Sequence, residues 1–492
     1  MSRIRVVSTF EGTYPYETGG VSTWADILIH KLKNVDFILL PIMMHPYIKL
    51  KFELPTNVTD IITVPLWGSE EPTEYIRDIN FSEIYIGKLN TRESNIVEEF
   101  VPILRLLLAH IYKEENNLDK LGNALLEFHE YFHKNDYYET FRHESVWLTY
   151  KEFVLNHYSE SEKQDLPSMY DLVEGLRFLY RFFISILPVL PDVDIYHSSG
   201  AAFCGLPCII AKLKHGSKFL LTEHGVYLRE QYLYASREQM PAQTKEFLMG
   251  MIDTVVRLNY HFADVITPVC NYNKRWELKN GASPEKIETV YNGIDTDIFR
   301  NYGNAANTRP TVVMVARIDQ LKDIETYIRC AKKVADSIPS VLFKLYGPKI
   351  DEKYYDFCED LVKELSLNQN FEFSGVTSNP AAAYNEGDVV MLTSISEAFP
   401  FVVIEAMACE KVVVSSDVGG TKEVLEGFGY VIKPKDVDGF SNAVIEVLND
   451  KNMSLEMGVD ARTSILNGFM IEDMVDSYDA LYKRLYNANR KK

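Results

Sequence analysis

The stretch Ser394-Ile-Ser-Glu-Ala-Phe-Pro-Phe-Val-Val-Ile-Glu-Ala-Met-Ala-Cys409 sets how the chain is read. The apolar run before it, Asp388-Val-Val-Met-Leu392, reads as a strand that ends in a polar turn. A helix is expected to begin around Pro400, because proline is tolerated in a first helical turn, where its missing N–H has no intrahelical partner to lose. Glu397 then lies in the turn and Glu405 on the helix. A strand-to-helix turn exposes unpaired amides and the positive end of a helix dipole, which together attract a phosphate or another anion. The amides in question are those of Phe399, Phe401 and Val402, since Pro400 has none. With 70 acidic residues in a chain of 492, two glutamates eight apart carry little weight alone.

Beyond this stretch, 492 residues exceed one ordinary core, and 46% hydrophobic with 25% charged is a globular balance, so two or more domains are expected. The formal net charge of −19 disfavours binding to nucleic acid or anionic lipid, both of which need a basic surface. No apolar run reaches the roughly 18 residues of a spanning helix. The nearest, Phe182 to Leu190, is broken by Pro188. Met1 to Ser8 lacks the apolar core and cleavage site of a signal peptide and reads as a first strand, so a cytoplasmic protein is expected. Cys204, Cys208, Cys270, Cys330, Cys358 and Cys409 show no C-x-x-C spacing and read as buried thiols.

Arg3 to Ser8 is a β-branched run followed by the loop Thr9 to Gly20 and a helical pattern from Ser22 (Trp24, Ile27, Leu28, Leu32). Strand, glycine-bearing loop and helix open a doubly wound α/β unit, whose ligands sit at strand C-termini, and Gly19 and Gly20 lie at that edge. Strands follow at Val35 to Leu40 and Asp60 to Val64. From about 67 to 190 the pattern changes to amphipathic, charge-rich helices, such as Leu121 to Phe132, and reads as an insertion. The sheet resumes at Asp194 to His197, Lys218 to Thr222 and Asp264 to Thr267. His224, in Thr222-Glu-His-Gly225, stands at a strand C-terminus.

After a linker over 301–310, a second α/β domain begins at Thr311-Val-Val-Met-Val-Ala316. Arg317 and Lys322 come just after this strand. A planar guanidinium fork and a compact ammonium are the two means of holding a diphosphate. Asp323 is placed to cap the next helix. Strands at Val341 to Tyr346, Asn370 to Phe373, Asp388 to Leu392, Lys411 to Ser415 and Tyr430 to Ile432 alternate with helices, and Ile471 to Arg490 is a final amphipathic helix.

The string Glu397-x-Phe-Pro-x4-Glu405-Ala-Met407 resembles the E-x7-E signature of retaining family 4 glycosyltransferases of GT-B fold. Arg317-x4-Lys322 is similar to their R-x4-K-G motif, with Asp323 in place of the frequent glycine. Thr13-Tyr-Pro-Tyr-Glu-Thr-Gly-Gly-Val-Ser-Thr-Trp24 resembles the glycine loop of the PelF branch, enzymes of Pel-type exopolysaccharide synthesis.

The resemblance implies two Rossmann-like domains facing across a cleft. The first, 1–300 with a returning helix at 471–492, would be the acceptor side and the second, 301–470, the donor side. It implies that Arg317 and Lys322 hold the donor diphosphate, Glu397 and His224 lie against the sugar, Glu405 binds the ribose and Val376 lies near the base. It also implies that Ile287 to Asp295 is the strand closing the first domain, and that Asp417 to Lys422 is a further loop at the site.

The expected activity is metal-independent transfer of a hexose, with retention, from a UDP-sugar to a polysaccharide acceptor. No cofactor or metal is expected, and Asp295-Thr-Asp297 reads as structural. UDP-glucose is the favoured donor, with a UDP-N-acetylhexosamine second. Front-face attack and a covalent step through Glu397 both stay open. The expected partner is an inner-membrane synthase or export complex, through which the protein would be peripheral to the cytoplasmic membrane. A sugar-nucleotide epimerase of the same fold and a noncatalytic sugar-nucleotide-binding scaffold are the alternatives.

Overall fold

The computed structural model describes residues 3–69, 71–76, 80–160, 165–303 and 309–490. Of the expected linker, 304–308 lie outside the described residues, as do four residues at 161–164 of the insertion and the last two of the returning helix. The chain forms two compact units. One comprises Met1–Pro268, Lys274–Thr289 and Tyr478–Lys492, and the other Val269–Asn273 and Val290–Ser477.

The sheet of the first unit contains β1 (Ile4–Glu11), β2 (Val35–Met43), β3 (Val58–Ile61), β4 (Val64–Pro65), β5 (Ile195–Ser198), β6 (Lys218–Glu223) and β7 (Val265–Pro268). Its order is β3-β2-β1-β5-β6-β7, with β4 also on β2, and every pairing is parallel. The expected strand over Asp60 to Val64 is thus two short ones. The second unit holds β8 (Thr311–Val315), β9 (Leu342–Tyr346), β10 (Phe371–Gly375), β11 (Val389–Leu392), β12 (Val412–Ser416) and β13 (Tyr430–Ile432), in the order β10-β9-β8-β11-β12-β13. A parallel sheet covered by helices on both faces needs strands apolar throughout, and Val412-Val-Val414 and Val389-Val-Met-Leu392 are fully buried.

In each sheet the chain winds outward from the first strand in one direction, then restarts on its other side. The strand order therefore reverses between β1 and β5 and between β8 and β11, and the crevice at such a switch point is where ligands bind in open α/β sheets.

The insertion carries helices and, among its described residues, no strand. Leu121, Ala124, Leu125, Phe128 and Phe132 form the buried stripe of the helix Leu118–Phe132, started by the Asn117 side chain, which accepts from the Lys120 amide at 3.0 Å. Phe100 stacks among Phe128, Tyr131, Phe132 and Phe141 at centroid distances of 5.2 to 5.6 Å. These side chains share one apolar core with the sheet residues Val7, Ile38 and Tyr196, so the insertion folds onto the sheet instead of forming a body of its own.

Ile287 to Asp295 is not a strand. Ile287 makes a single bridge to Ile266 and Ile294 a single bridge to Met470, while the polar stretch between, with Asn292-Gly293, suits a ladder poorly. All six cysteines are free and buried. No helix among the described residues is long and apolar enough to cross a membrane.

Candidate functional site

In the second unit, the segments after β8 and β11 are joined by hydrogen bonds, which is how residues distant in sequence come together. The Ile395 amide donates to Leu321 O at 2.8 Å, and the Thr393 hydroxyl to Lys322 O at 3.0 Å and Asp323 O at 2.9 Å. Ser416 Oγ on β12 donates to Ser394 O at 2.6 Å. From the other side Gly420 N donates to Ala398 O at 2.7 Å. Gly419, at φ +58°, lies so close that a Cβ there would sit 2.3 Å from Glu397 O, so only glycine fits both the left-handed backbone and the approach. The turn carrying Glu397 is therefore clamped by two neighbouring loops.

Lys322 and Glu397 meet in this crevice, with Nζ donating to Oε1 at 2.5 Å and side chains only 17% and 13% exposed. An ammonium has three donors, so Lys322 can keep Glu397 and still offer N–H groups to a phosphate oxygen. Arg317 stands further out, 57% exposed, its Nε 3.4 Å from Asp319 Oδ2. Asp319 also accepts from the Leu321 and Lys322 amides at 2.9 and 3.2 Å, which folds the loop between the two cations.

The helix Phe401–Ala408 starts with Pro400 at its cap, so the amides of Phe401 and Val402 lie in its first turn. The side chain of Phe399 is buried, stacked on Phe469 at 6.0 Å, which leaves only its backbone to a ligand. Glu405, on this helix, accepts the Tyr384 hydroxyl at 2.6 Å. Burial pushes its carboxyl up to about 7, against the opposing effect of that hydrogen bond. Val376 follows β10, two strands from β8, and is 73% exposed.

Asp323 departs from expectation. It stands at the cap position of the helix Ile324–Ser337, but its carboxylate takes no helix amide and accepts the Thr326 hydroxyl at 2.7 Å instead. The cause is its left-handed backbone, φ 49° and ψ 56°, whereas a capping side chain needs an extended residue. The same conformation explains why glycine suits this position. Asp295 Oδ1 accepts from the Asp297 and Ile298 amides at 2.9 and 3.2 Å, a local turn.

Gly19, Gly20 and His224 belong to the first unit. Gly19 precedes and Gly20 opens the helix Gly20–Lys31. Trp24 of that helix lies 4.5 Å from the His224 ring, so helix and histidine form one cluster at the C-terminal ends of β1 and β6. Burial lowers His224 to about 3, which keeps the imidazole neutral.

Sequence reasoning missed the carboxylates beside it. Glu223, buried, accepts from Tyr260 Oη at 2.7 Å and the Tyr227 amide at 3.0 Å, and Tyr227 Oη donates to Glu11 at 2.9 Å. Burial raises the carboxyls of Glu223 and the neighbouring Glu277 above the ordinary carboxylate range. Glu223 sat within the string searched for His224, but nothing local marks its tyrosine partners. Tyr384 was missed for the same reason.

Two Rossmann-ordered parallel sheets place the chain in the GT-B fold class. One whole-chain likeness is to sucrose-phosphate synthase from Thermosynechococcus elongatus, with TM-score 0.61, 17% identity and coverage of 99% of this chain and 100% of that one. A second likeness is to Anabaena HepE solved with UDP and glucose, with TM-score 0.58, 13% identity and coverage of 97% and 99%. Residues 295–464 match the family described as Glycosyl transferases group 1. The chain belongs to the family described as Domain of unknown function (DUF3492), which it matches over residues 4–285. Among curated proteins it is 27% identical over 248 residues to N-acetyl-alpha-D-glucosaminyl L-malate synthase of Bacillus anthracis, covering 47% of this chain and 62% of that relative, less than two thirds of its length.

Proposed function

We propose that this protein is a retaining glycosyltransferase that moves a hexose from a UDP-sugar to a growing polysaccharide, in Pel-type exopolysaccharide synthesis. The observation that carries the reading is the meeting of Lys322 and Glu397 at the β8/β11 switch point, with Arg317 beside them and Glu405 on the following helix. The match to Glycosyl transferases group 1 over the same unit supports it.

In this reading Arg317, Lys322 and the amides of Phe401 and Val402 face the diphosphate. Charge builds there as the glycosidic bond stretches, and donors already in place lower the barrier. Two cations in this role make the reaction metal-independent. Glu405 takes the ribose hydroxyls, and Val376 lies near the base. A carboxylate already held by Lys322 is a weak nucleophile, which favours front-face attack over a covalent step through Glu397.

UDP-glucose is the proposed donor, with a UDP-N-acetylhexosamine second. The HepE structure with UDP and glucose supports a uridine nucleotide. By the motif resemblance His224 is assigned a catalytic role and Gly19 and Gly20 a role in donor binding, and the protein is assigned to the cytoplasm, held at the membrane by a synthase complex.

Incubation with radiolabelled UDP-glucose and UDP-N-acetylglucosamine, with product anomers read by NMR, tests this reading. An α-linked product supports it. An epimerised donor, or binding without turnover, overturns it.

A further inference from the structure

The first unit contains an open cavity of about 650 Å³ lined by none of the residues assigned above to the transfer reaction. It lies among the helices Val101–Ile111, Glu144–Glu160, Tyr227–Arg237 and Ala242–Phe262. Its aromatic lining is Tyr112, His157 and Tyr232. The Tyr112 and His157 rings pack against each other at a centroid distance of 4.2 Å, tilted by 32°, and Tyr232 is 52% exposed. The charged lining is Lys113, Lys245, Glu246 and Asp253, two of each sign, on a chain whose formal net charge is −19.

These charges are held in place. Glu246 accepts the Tyr158 hydroxyl at 2.7 Å, Asp253 faces Lys113 at 3.4 Å and Arg257 at 3.1 Å, and His157 is fixed by Glu114 at 2.7 Å. Two charges of each sign leave the lining without a net charge to draw an anion or a cation. Fixed carboxylates with spare lone pairs accept hydroxyl hydrogen bonds, and aromatic faces take the apolar side of a pyranose ring. The volume is that of a site for a ligand of several rings.

Position adds to composition. The helix Tyr227–Arg237 is rooted at the sheet edge, where Tyr227 binds Glu223 and Glu11 next to His224. Tyr232 is five residues further on, about 7.5 Å along the helix axis at 1.5 Å per residue. Tyr232 thus shares one helix with a residue of that edge.

We infer that this cavity is a binding site for a neutral oligosaccharide, the part of the acceptor glycan behind its reacting end. This rests on the transferase reading above for the name acceptor, while the binding of sugar rests on the cavity alone.

The test is calorimetry on the full chain with cellotetraose, maltotetraose and chitotetraose, and separately with UDP, for wild type, Tyr232→Ala and Tyr232→Phe. At least one tetrasaccharide should bind. Tyr232→Ala should weaken it about tenfold, Tyr232→Phe should stay within about twofold because the ring face remains, and UDP affinity should not change. Tyr232 is exposed, so its truncation leaves the core intact. Failure of all three sugars to bind wild type, or equal binding by Tyr232→Ala, overturns the inference whatever UDP does. Tyr232-dependent sugar binding without UDP binding overturns the transferase reading and leaves the cavity as a glycan site.

Discussion

Replacing Glu405 by Gln should stabilise the protein and weaken nucleotide binding, both more strongly as pH rises. Burial moves this carboxyl from its ordinary 4.5 to about 7, so the folded state holds the proton more tightly than the unfolded chain does. The sign follows from that. The favourable contribution is fully present below pH 4.5, is lost as pH rises through 7, and levels off beyond. From 4.5 to about 7, at 1.36 kcal/mol per pH unit, the loss is on the order of 3 kcal/mol. Glutamine keeps a carbonyl oxygen for the Tyr384 hydroxyl and never ionises, so the advantage of Glu405→Gln should grow by about 2 kcal/mol between about pH 5.5 and 8.5.

If the ionised carboxylate accepts the ribose hydroxyls, wild-type UDP affinity should rise with pH through 7. Glu405→Gln should flatten that profile and lose roughly 10–200-fold at high pH, the worth of a charged hydrogen bond at about 1.5–3 kcal/mol. Denaturant unfolding and UDP calorimetry across this range check both halves. A variant less stable than wild type at high pH, or UDP affinity unmoved by the substitution, would contradict this account of Glu405.

Arg317→Ala or Lys322→Ala should each cut transfer by roughly 10²–10³, the effect of deleting one preorganised donor to developing charge. The exposed Arg317 should be removed with little loss of stability, whereas Lys322→Ala leaves the largely buried Glu397 unpaired and should lower the denaturation midpoint. Steady-state rates beside circular dichroism decide this, and near-normal transfer by both would remove the clamp. Transfer should persist in excess EDTA. Loss on chelation, restored by Mg²⁺ or Mn²⁺, would show that a metal, and not the Arg317 and Lys322 pair, neutralises the diphosphate. Asp323→Ala should destabilise by about 2–3 kcal/mol, from a left-handed residue without a side-chain hydrogen bond, while Asp323→Asn stays close to wild type because Asn tolerates that backbone and still accepts from Thr326. Equal denaturation midpoints for the two would sink the backbone argument.

The elements themselves are legible in the chain. Continuous apolar runs, such as the one expected over Lys411 to Ser415 and found at Val412–Ser416, and stripes spaced by three to four residues, such as Leu121 to Phe132, each predict the strand or helix that forms. Arg317, Lys322, Glu397 and Glu405 are picked out by the resemblance of their strings to known motifs, since two glutamates eight apart carry little weight alone. Which of these meet is settled by packing alone.

Lys322 and Glu397 are 75 residues apart and pair because β8 lies next to β11, an adjacency set by how the chain crosses over the sheet and not by either segment. Tyr384 reaches Glu405 from another helix, and Tyr260 reaches Glu223 across 37 residues, so the raised carboxyls had no local signal. Asp323 shows the limit at short range. Its residue type suits a cap, but the loop folded by Asp319 delivers it left-handed, and the side chain turns to Thr326. Periodicity is a property of neighbours in the chain, whereas burial, pairing and the direction of a side chain belong to neighbours in space, which only the folded arrangement selects.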